Sequence, residues 1–164
     1  MNMPDNNPMM IADQTRVAEL NLTRLLEWNT RYDAKATAIT AIDLGMLGSE
    51  LVISNGRLNS NSEISFSLMI FILGLALIVN LYASFPRLKS KNNSLLYFGT
   101  IAKKELSSYT EEFMKLDSES YLRDILQQCY RNSQIIKSKF FWLKISFYLT
   151  FISILPWVIT LIVV

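Results

Sequence analysis

The sequence predicts an all-α membrane protein with three transmembrane helices and long cytoplasmic helical extensions. Three observations carry this reading. Two uncharged apolar runs, Ile64–Phe85 and Ile145–Val164, hold 22 and 20 residues. At 1.5 Å per residue, either is long enough to cross a hydrocarbon core of about 30 Å. The chain is 51% hydrophobic and only 18% charged, where soluble domains carry about 25% charged residues. The polar stretches between the apolar runs keep helical spacing and contain almost no Gly or Pro to interrupt it.

Residues 1–10, rich in Asn, Pro and Met, read as a flexible tail. They lack the basic region and apolar core of a secretory signal. The N-terminus is therefore expected in the cytoplasm, with the membrane segments acting as their own insertion signals. Over 11–35 the apolar Val17, Leu20, Leu22, Leu25 and Leu26 alternate with Arg16, Glu19, Arg24 and Glu27. This is a cytoplasmic amphipathic helix with no stop signal before the next stretch.

That next stretch, 36–54, is the first expected transmembrane helix, although it carries Asp43 and Glu50. A carboxylate at a helix centre costs roughly 2.5–3.5 kcal/mol on insertion, while each Leu or Ile returns about 0.3–0.6 kcal/mol. The segment inserts poorly alone and needs a partner helix. Asp43 and Glu50 are seven residues apart and share a face with Ala36, Thr40 and Leu47. Two readings of this face stand: carboxylates turned into the bundle interior and bonded to Ser or Thr, or the polar lining of an oligomeric pore. Gly45 and Gly48 permit close approach of another helix.

Residues 55–63, with Asn55-Gly56, form an external turn. Ile64–Phe85 is the second transmembrane helix, since a soluble helix of this length shows a polar face. The 86–144 region is a polar segment, expected to be helical and cytoplasmic. Ser94 or Thr100 suits the cap of a short helix there, and Asp117 or Ser118 the cap of a long one that runs into the third span, 145–164. Pro156 is expected to kink that last helix, which membrane helices tolerate.

Charge sets the orientation. Eleven of the 16 Lys and Arg residues lie in 86–144, and only Arg57 lies in the turn. By the positive-inside rule the long segment is cytoplasmic and the turn external. With 36–54 spanning, the N-terminus is cytoplasmic and the C-terminus external.

Several chemistries are excluded or disfavoured. There is no histidine, so the commonest general base and metal ligand is missing. The single Cys129 rules out an internal disulfide or a thiolate cluster. No phosphate loop, HExxH, CxxC or nucleophile elbow occurs. A catalytic role, a resident cofactor and a metal are therefore not expected, and a net charge of +2 gives no reason to expect nucleic acid.

The most suggestive polar pattern lies on the 119–139 helix. Tyr121, Asp124, Gln128 and Arg131 fall at steps of three and four, with Gln127 beside them and Asn132 and Ser133 at the edge. Carboxylates and amides suit a base edge, and Arg suits a phosphate. The plainer alternative is a face that packs on the N-terminal helix or meets water. Phe98-Gly99 is not a phosphate cradle by itself, and Lys103-Lys104 reads as a solvated basic face.

Three motifs in order add a resemblance. RYDAKA (31–36), YFGTIA (97–102) and YLRDILQQCYRNSQIIKSKF (121–140), with ILPW (154–157) in the last helix, resemble the small membrane effectors of bacterial Pycsar anti-phage systems. The resemblance spans about 15–160. It implies a sensor coupled to membrane damage, triggered by a cyclic pyrimidine mononucleotide made on infection, in the inner membrane and as a homo-oligomer in the lipid bilayer. It marks Asp33 and Lys35 at the membrane entry. It also marks Phe98, Gly99, Tyr121, Asp124, Gln128, Tyr130, Asn132, Ser133 and Lys137. The sequence departs from the family pattern in the polarity of 36–54 and in lacking a separate nucleotide-binding domain. A competing function is a membrane adaptor whose cytoplasmic helices dock a partner protein; an integral membrane enzyme is a third and weaker reading.

Overall fold

The computed structural model describes residues 8–53, 60–85 and 94–163. Five helices follow in order: α1 (Pro8–Ile53), α2 (Ser60–Ser84), α3 (Phe98–Ile101), α4 (Leu106–Met114) and α5 (Ser118–Val163), with no strand among the described residues. Helix α1 begins at Pro8, inside the expected 1–10 tail; proline suits a first helical turn, where its missing N–H costs nothing. The rest of that tail, most of the 55–63 turn and the basic 86–91 exit lie outside the described residues.

Two elements explain themselves from sequence. Helix α1 runs for 46 residues through RYDAKA without a break: its one proline, Pro8, stands at its first position, and Gly45 and Gly48 stand singly within it. Helix α5 starts where Asp117 caps it: the Ser120 amide donates to Asp117 Oδ1 at 2.9 Å. That hydrogen bond holds the Asp117 carboxyl below its ordinary 3.8. Helix α5 is helical on both sides of Pro156. Ser94 does not cap α3. Its hydroxyl oxygen instead accepts the Leu96 and Tyr97 amides, and Tyr97 stands at the cap position without a side-chain bond.

The chain forms two compact units, 1–29 with 86–136, and 30–85 with 137–164. In the first, the Tyr121 hydroxyl donates to Glu19 Oε1 at 2.9 Å, and the Cys129 thiol approaches the Ala18 carbonyl at 3.5 Å. These contacts seat the start of α1 on the first half of α5. Glu19 holds the Tyr121 hydroxyl above its ordinary 10.0, because ionising it breaks the bond and sets two anions together. Burial pushes the Cys129 thiol up as well.

The second unit is a bundle of three helices. Pairs Tyr32–Phe140, Asp43–Thr150 and Ser49–Trp157 keep one register, so α1 and α5 run parallel. Pairs Tyr32–Ser84, Ala36–Asn80 and Ser146–Ala76 run the other way, so α2 is antiparallel to both. One cluster packs Tyr32, Ala36, Ile39, Ala83 and Leu143 with Phe140 and Trp142. A second packs Met46, Met69 and Leu73 with Leu47, Phe66 and Trp157.

Two of the described helices are long and apolar enough to cross a membrane: α2 over Glu63–Ser84, with mean hydropathy 2.5, and α5, with mean hydropathy 2.0. Three such helices were expected, and among the described residues two meet this measure. The 36–54 stretch of α1 is not among them, and the physical reason is the polarity that Asp43 and Glu50 add to it.

Candidate functional site

In the first unit the site grows around Asp124. Its Oδ2 accepts the Ser94 hydroxyl at 2.9 Å and the Leu95 amide at 3.0 Å. Ser94 in turn organises the next two amides, so one carboxylate on α5 fixes the backbone that leads into α3. Beside it lies a cleft of about 260 Å³, lined by Ser94, Leu95, Leu116, Ser120, Arg123, Asp124 and Gln127. Its volume is below the roughly 300 Å³ at which drug-sized ligand sites begin. Arg123 on its rim pairs with Glu119 at 3.2 Å, an exposed contact that is readily exchanged.

The polar residues expected to form one face are divided. Tyr121 reaches α1, while Asp124 reaches Ser94 and Leu95. Asn132 donates to the Gln128 carbonyl, and Ser133 to the Tyr130 carbonyl, so both bond to their own helix. Gln128 and Arg131 are half-buried on α5, next to neither wall of the cleft. Phe98 is exposed, its ring tilted against Tyr97 at 4.8 Å. At Gly99 a Cβ would stand 2.7 Å from the Tyr97 ring, so glycine is what allows that ring to lie over the α3 backbone. Gln127, named with the polar face from sequence, lines the cleft together with Ser120 and Arg123, which sequence reasoning does not single out. Their spacing of three and four from one another was the available signal.

In the second unit, RYDAKA packs against α5. Lys139 Nζ lies 3.4 Å from Asp33 Oδ1 and 4.7 Å over the Tyr32 ring, and Lys35 Nζ lies 5.8 Å over the Phe140 ring. Asp33 and Lys35 thus help tie α1 to α5, with cation–π support. Tyr82 and Trp142 meet edge to face nearby at 5.3 Å.

Further along the same bundle, polarity is inverted. Asp43 and Glu50 are both 0% exposed. The Thr150 hydroxyl lies 2.7 Å from Asp43 Oδ1 and 3.1 Å from the Ser146 carbonyl. Its one proton serves either acceptor in turn. Asn80 Nδ2 donates to the Ala36 carbonyl and to Thr40 Oγ1, each at 2.9 Å. Ser146, Ser153 and Thr160 are buried too. Asp43 Oδ2, both Glu50 oxygens and Asn80 Oδ1 have no hydrogen-bond partner among the described residues. Within one chain, Asp43 therefore faces a neighbouring helix, the first of the two arrangements expected for it. The stripe Ser146, Thr150, Ser153, Trp157, Thr160 repeats at four, three, four and three, a helical face that the sequence displays inside an uncharged run.

The outer surface is the opposite. On α1, Ala38, Ala41, Ile42, Leu44, Gly45, Gly48, Leu51 and Val52 are exposed. A Cβ at Gly45 or Gly48 would meet nothing within 4 Å, so the expected close helix partner is not another segment of the same chain among the described residues.

A family model described as a Pycsar effector protein domain matches residues 17–164. No curated protein and no solved structure matches the chain.

Proposed function

The chain belongs to the Pycsar effector family, and from that premise we propose that it is a bacterial membrane effector of an anti-phage system: it senses a cyclic pyrimidine mononucleotide and then impairs the inner membrane as a homo-oligomer. The observation that supports the membrane part is the inverted polarity of the 30–85 and 137–164 unit. Asp43, Glu50, Asn80, Ser146, Thr150, Ser153 and Thr160 are buried, while Ile42, Leu51, Phe71, Ile78, Phe151 and Leu155 are exposed. In water this arrangement costs twice, once for exposed apolar area and once for buried polar groups. In lipid it is the favourable one.

The same observation supports a third span. The 36–54 segment fails as an isolated membrane helix because of two carboxylates, and both are shielded by α2 and α5. What it presents outward is apolar, with Thr37 the exception. Spanning places the N-terminus in the cytoplasm, the C-terminus outside and the basic 86–144 region in the cytoplasm. The exposed small residues Ala38, Ala41, Gly45 and Gly48 suit close packing of a second copy. For sensing, the cleft beside Asp124 offers the Arg123 guanidinium to a phosphate and the Ser120 hydroxyl and Gln127 amide to a base. Nucleic acid, a resident cofactor, a metal and an enzymatic step form no part of this reading.

The test is membrane potential in cells that express the protein together with a cyclase making cyclic CMP or cyclic UMP. Depolarisation only with an active cyclase is the expected outcome. An unchanged potential with every cyclic nucleotide contradicts it. The adaptor reading draws on one specific feature, the exposed Leu106, Phe113 and Met114 of α4. It predicts an unchanged potential together with co-purification of a partner protein.

A further inference from the structure

We propose that the second unit carries a proton path inside each subunit, with Asp43 and Glu50 as its two stations and the Met46–Met69–Leu73 cluster as the closed gate between them. This rests on the membrane reading above and adds the permeating species and the residues that pass it.

The polar groups form a series along the bundle. At one end the Tyr32 hydroxyl and Ser84 Oγ are 3.3 Å apart. One turn on, Asn80 bridges the Ala36 carbonyl and Thr40. Next stand Asp43, Thr150 and Ser146. Beyond the gate the Trp157 indole donates to Ser49 Oγ at 3.1 Å, with Glu50 adjacent on α1. From Tyr32 to Glu50 the helix advances 18 residues, about 27 Å. That nearly matches the roughly 30 Å of a hydrocarbon core.

The unpartnered atoms are all acceptors: Asp43 Oδ2, the two Glu50 oxygens and Asn80 Oδ1. Acceptors alone call for a cation. A buried carboxyl takes up a proton without the coordination shell that a metal ion needs, and no group of three or more His, Cys, Asp or Glu side chains that could hold one occurs among the described residues, so the proton is the cation assigned to this series. It binds Asp43 Oδ2 to give the neutral acid, leaves as that O–H bond breaks, passes to water that enters when the layer between the two acids hydrates, and forms the same bond on a Glu50 oxygen. The water is returned unchanged, so charge and atoms balance. At the Tyr32 end of the path Lys139 pairs with Asp33 and stands over the Tyr32 ring, and Lys35 stands over the Phe140 ring, while Glu63 lies in the first turn of α2 at the other end.

Met46 lies three residues after Asp43 and four before Glu50, on the same face. It packs on Met69 and Leu73, both fully buried. A dry apolar layer gives a proton nowhere to rest, so the path is shut until this layer hydrates or parts. That is the general behaviour of hydrophobic gates.

The experiment uses the full chain in liposomes loaded with a pH-sensitive dye, with a potassium diffusion potential to drive protons. Leu73→Asn and Met69→Ser are each expected to raise proton influx at least tenfold over the unmodified protein without any nucleotide. Adding Asp43→Asn or Glu50→Gln to either is expected to return the flux to the starting level. Circular dichroism verifies that each variant stays helical. The proposal is overturned if both gate variants, still helical, conduct no faster. It is equally overturned if the acid substitutions leave the leak unchanged, or if sodium and calcein escape alongside protons. A cyclic CMP or cyclic UMP response that survives Asp43→Asn and Glu50→Gln removes the proton path and leaves the effector reading intact. Gate-variant flux in a protein that no nucleotide activates supports the path and removes that reading.

Discussion

Single carboxylates organise each unit. Asp124 accepts two hydrogen bonds, from the Ser94 hydroxyl and the Leu95 amide, and Asp124→Ala removes the acceptor of both. The expected cost is about 1–3 kcal/mol, read as a lower thermal midpoint together with faster amide exchange at 94–97. Insertion into the membrane is expected to be unchanged. Tyr121 gives a pH signature. Its folded pKa is raised by Glu19, so the stability it contributes is complete below its ordinary 10.0 and is lost as pH rises through the raised value. A spectrophotometric tyrosine titration is expected to lose a late-ionising component in Glu19→Gln, as Tyr121 moves back toward its ordinary value. Asp117 has the opposite sign. Its folded pKa is lowered, so its cap is intact above 3.8 and fails only as pH falls through the lowered value. Amide exchange at Ser120 and Tyr121 in acid reports this directly.

At the scale of elements, helix existence was readable and helix pairing was not. The unbroken α1, the apolar α2, and α5 with its start at Asp117 all follow from spacing, capping and the scarcity of Gly and Pro. That Asp43 and Glu50 turn inward followed from insertion cost alone. That Asp43 meets Thr150 did not, because it depends on which face of α5 the bundle register turns inward. The polar face at Tyr121, Asp124, Gln128 and Arg131 shows the same limit. Helical spacing put these residues on neighbouring positions, but α1 and the Ser94 segment claim different members of the set. Ser94 looked like a helix cap because Ser serves both caps and turns, and only the partner distinguishes the two. For α1 the expected behaviour is conditional: a segment covering 30–54 inserts poorly alone and efficiently when joined to α2. Asp43→Leu is expected to raise insertion of the isolated segment and to remove the Thr150 bond in the full protein. A translocon insertion assay measures both forms, and equal insertion with and without α2 goes against the shielding of Asp43 by its neighbours.

At the scale of the molecule, the inverted polarity of one unit and the polar cleft of the other belong to a chain whose family is a membrane effector family. Three spans and two spans differ in one observable, the side on which the N-terminus lies. Single cysteines at Ala12, Glu63 and Ile162, in a protein whose Cys129 is replaced by alanine, can be labelled with a membrane-impermeant thiol reagent in intact cells. All three positions are exposed on their helices. A bundle in which 36–54 crosses predicts that Glu63→Cys and Ile162→Cys react from outside, while Ala12→Cys reacts only after permeabilisation. Reaction of Ala12→Cys and Glu63→Cys from the same side would contradict it, and would return 36–54 to the membrane surface.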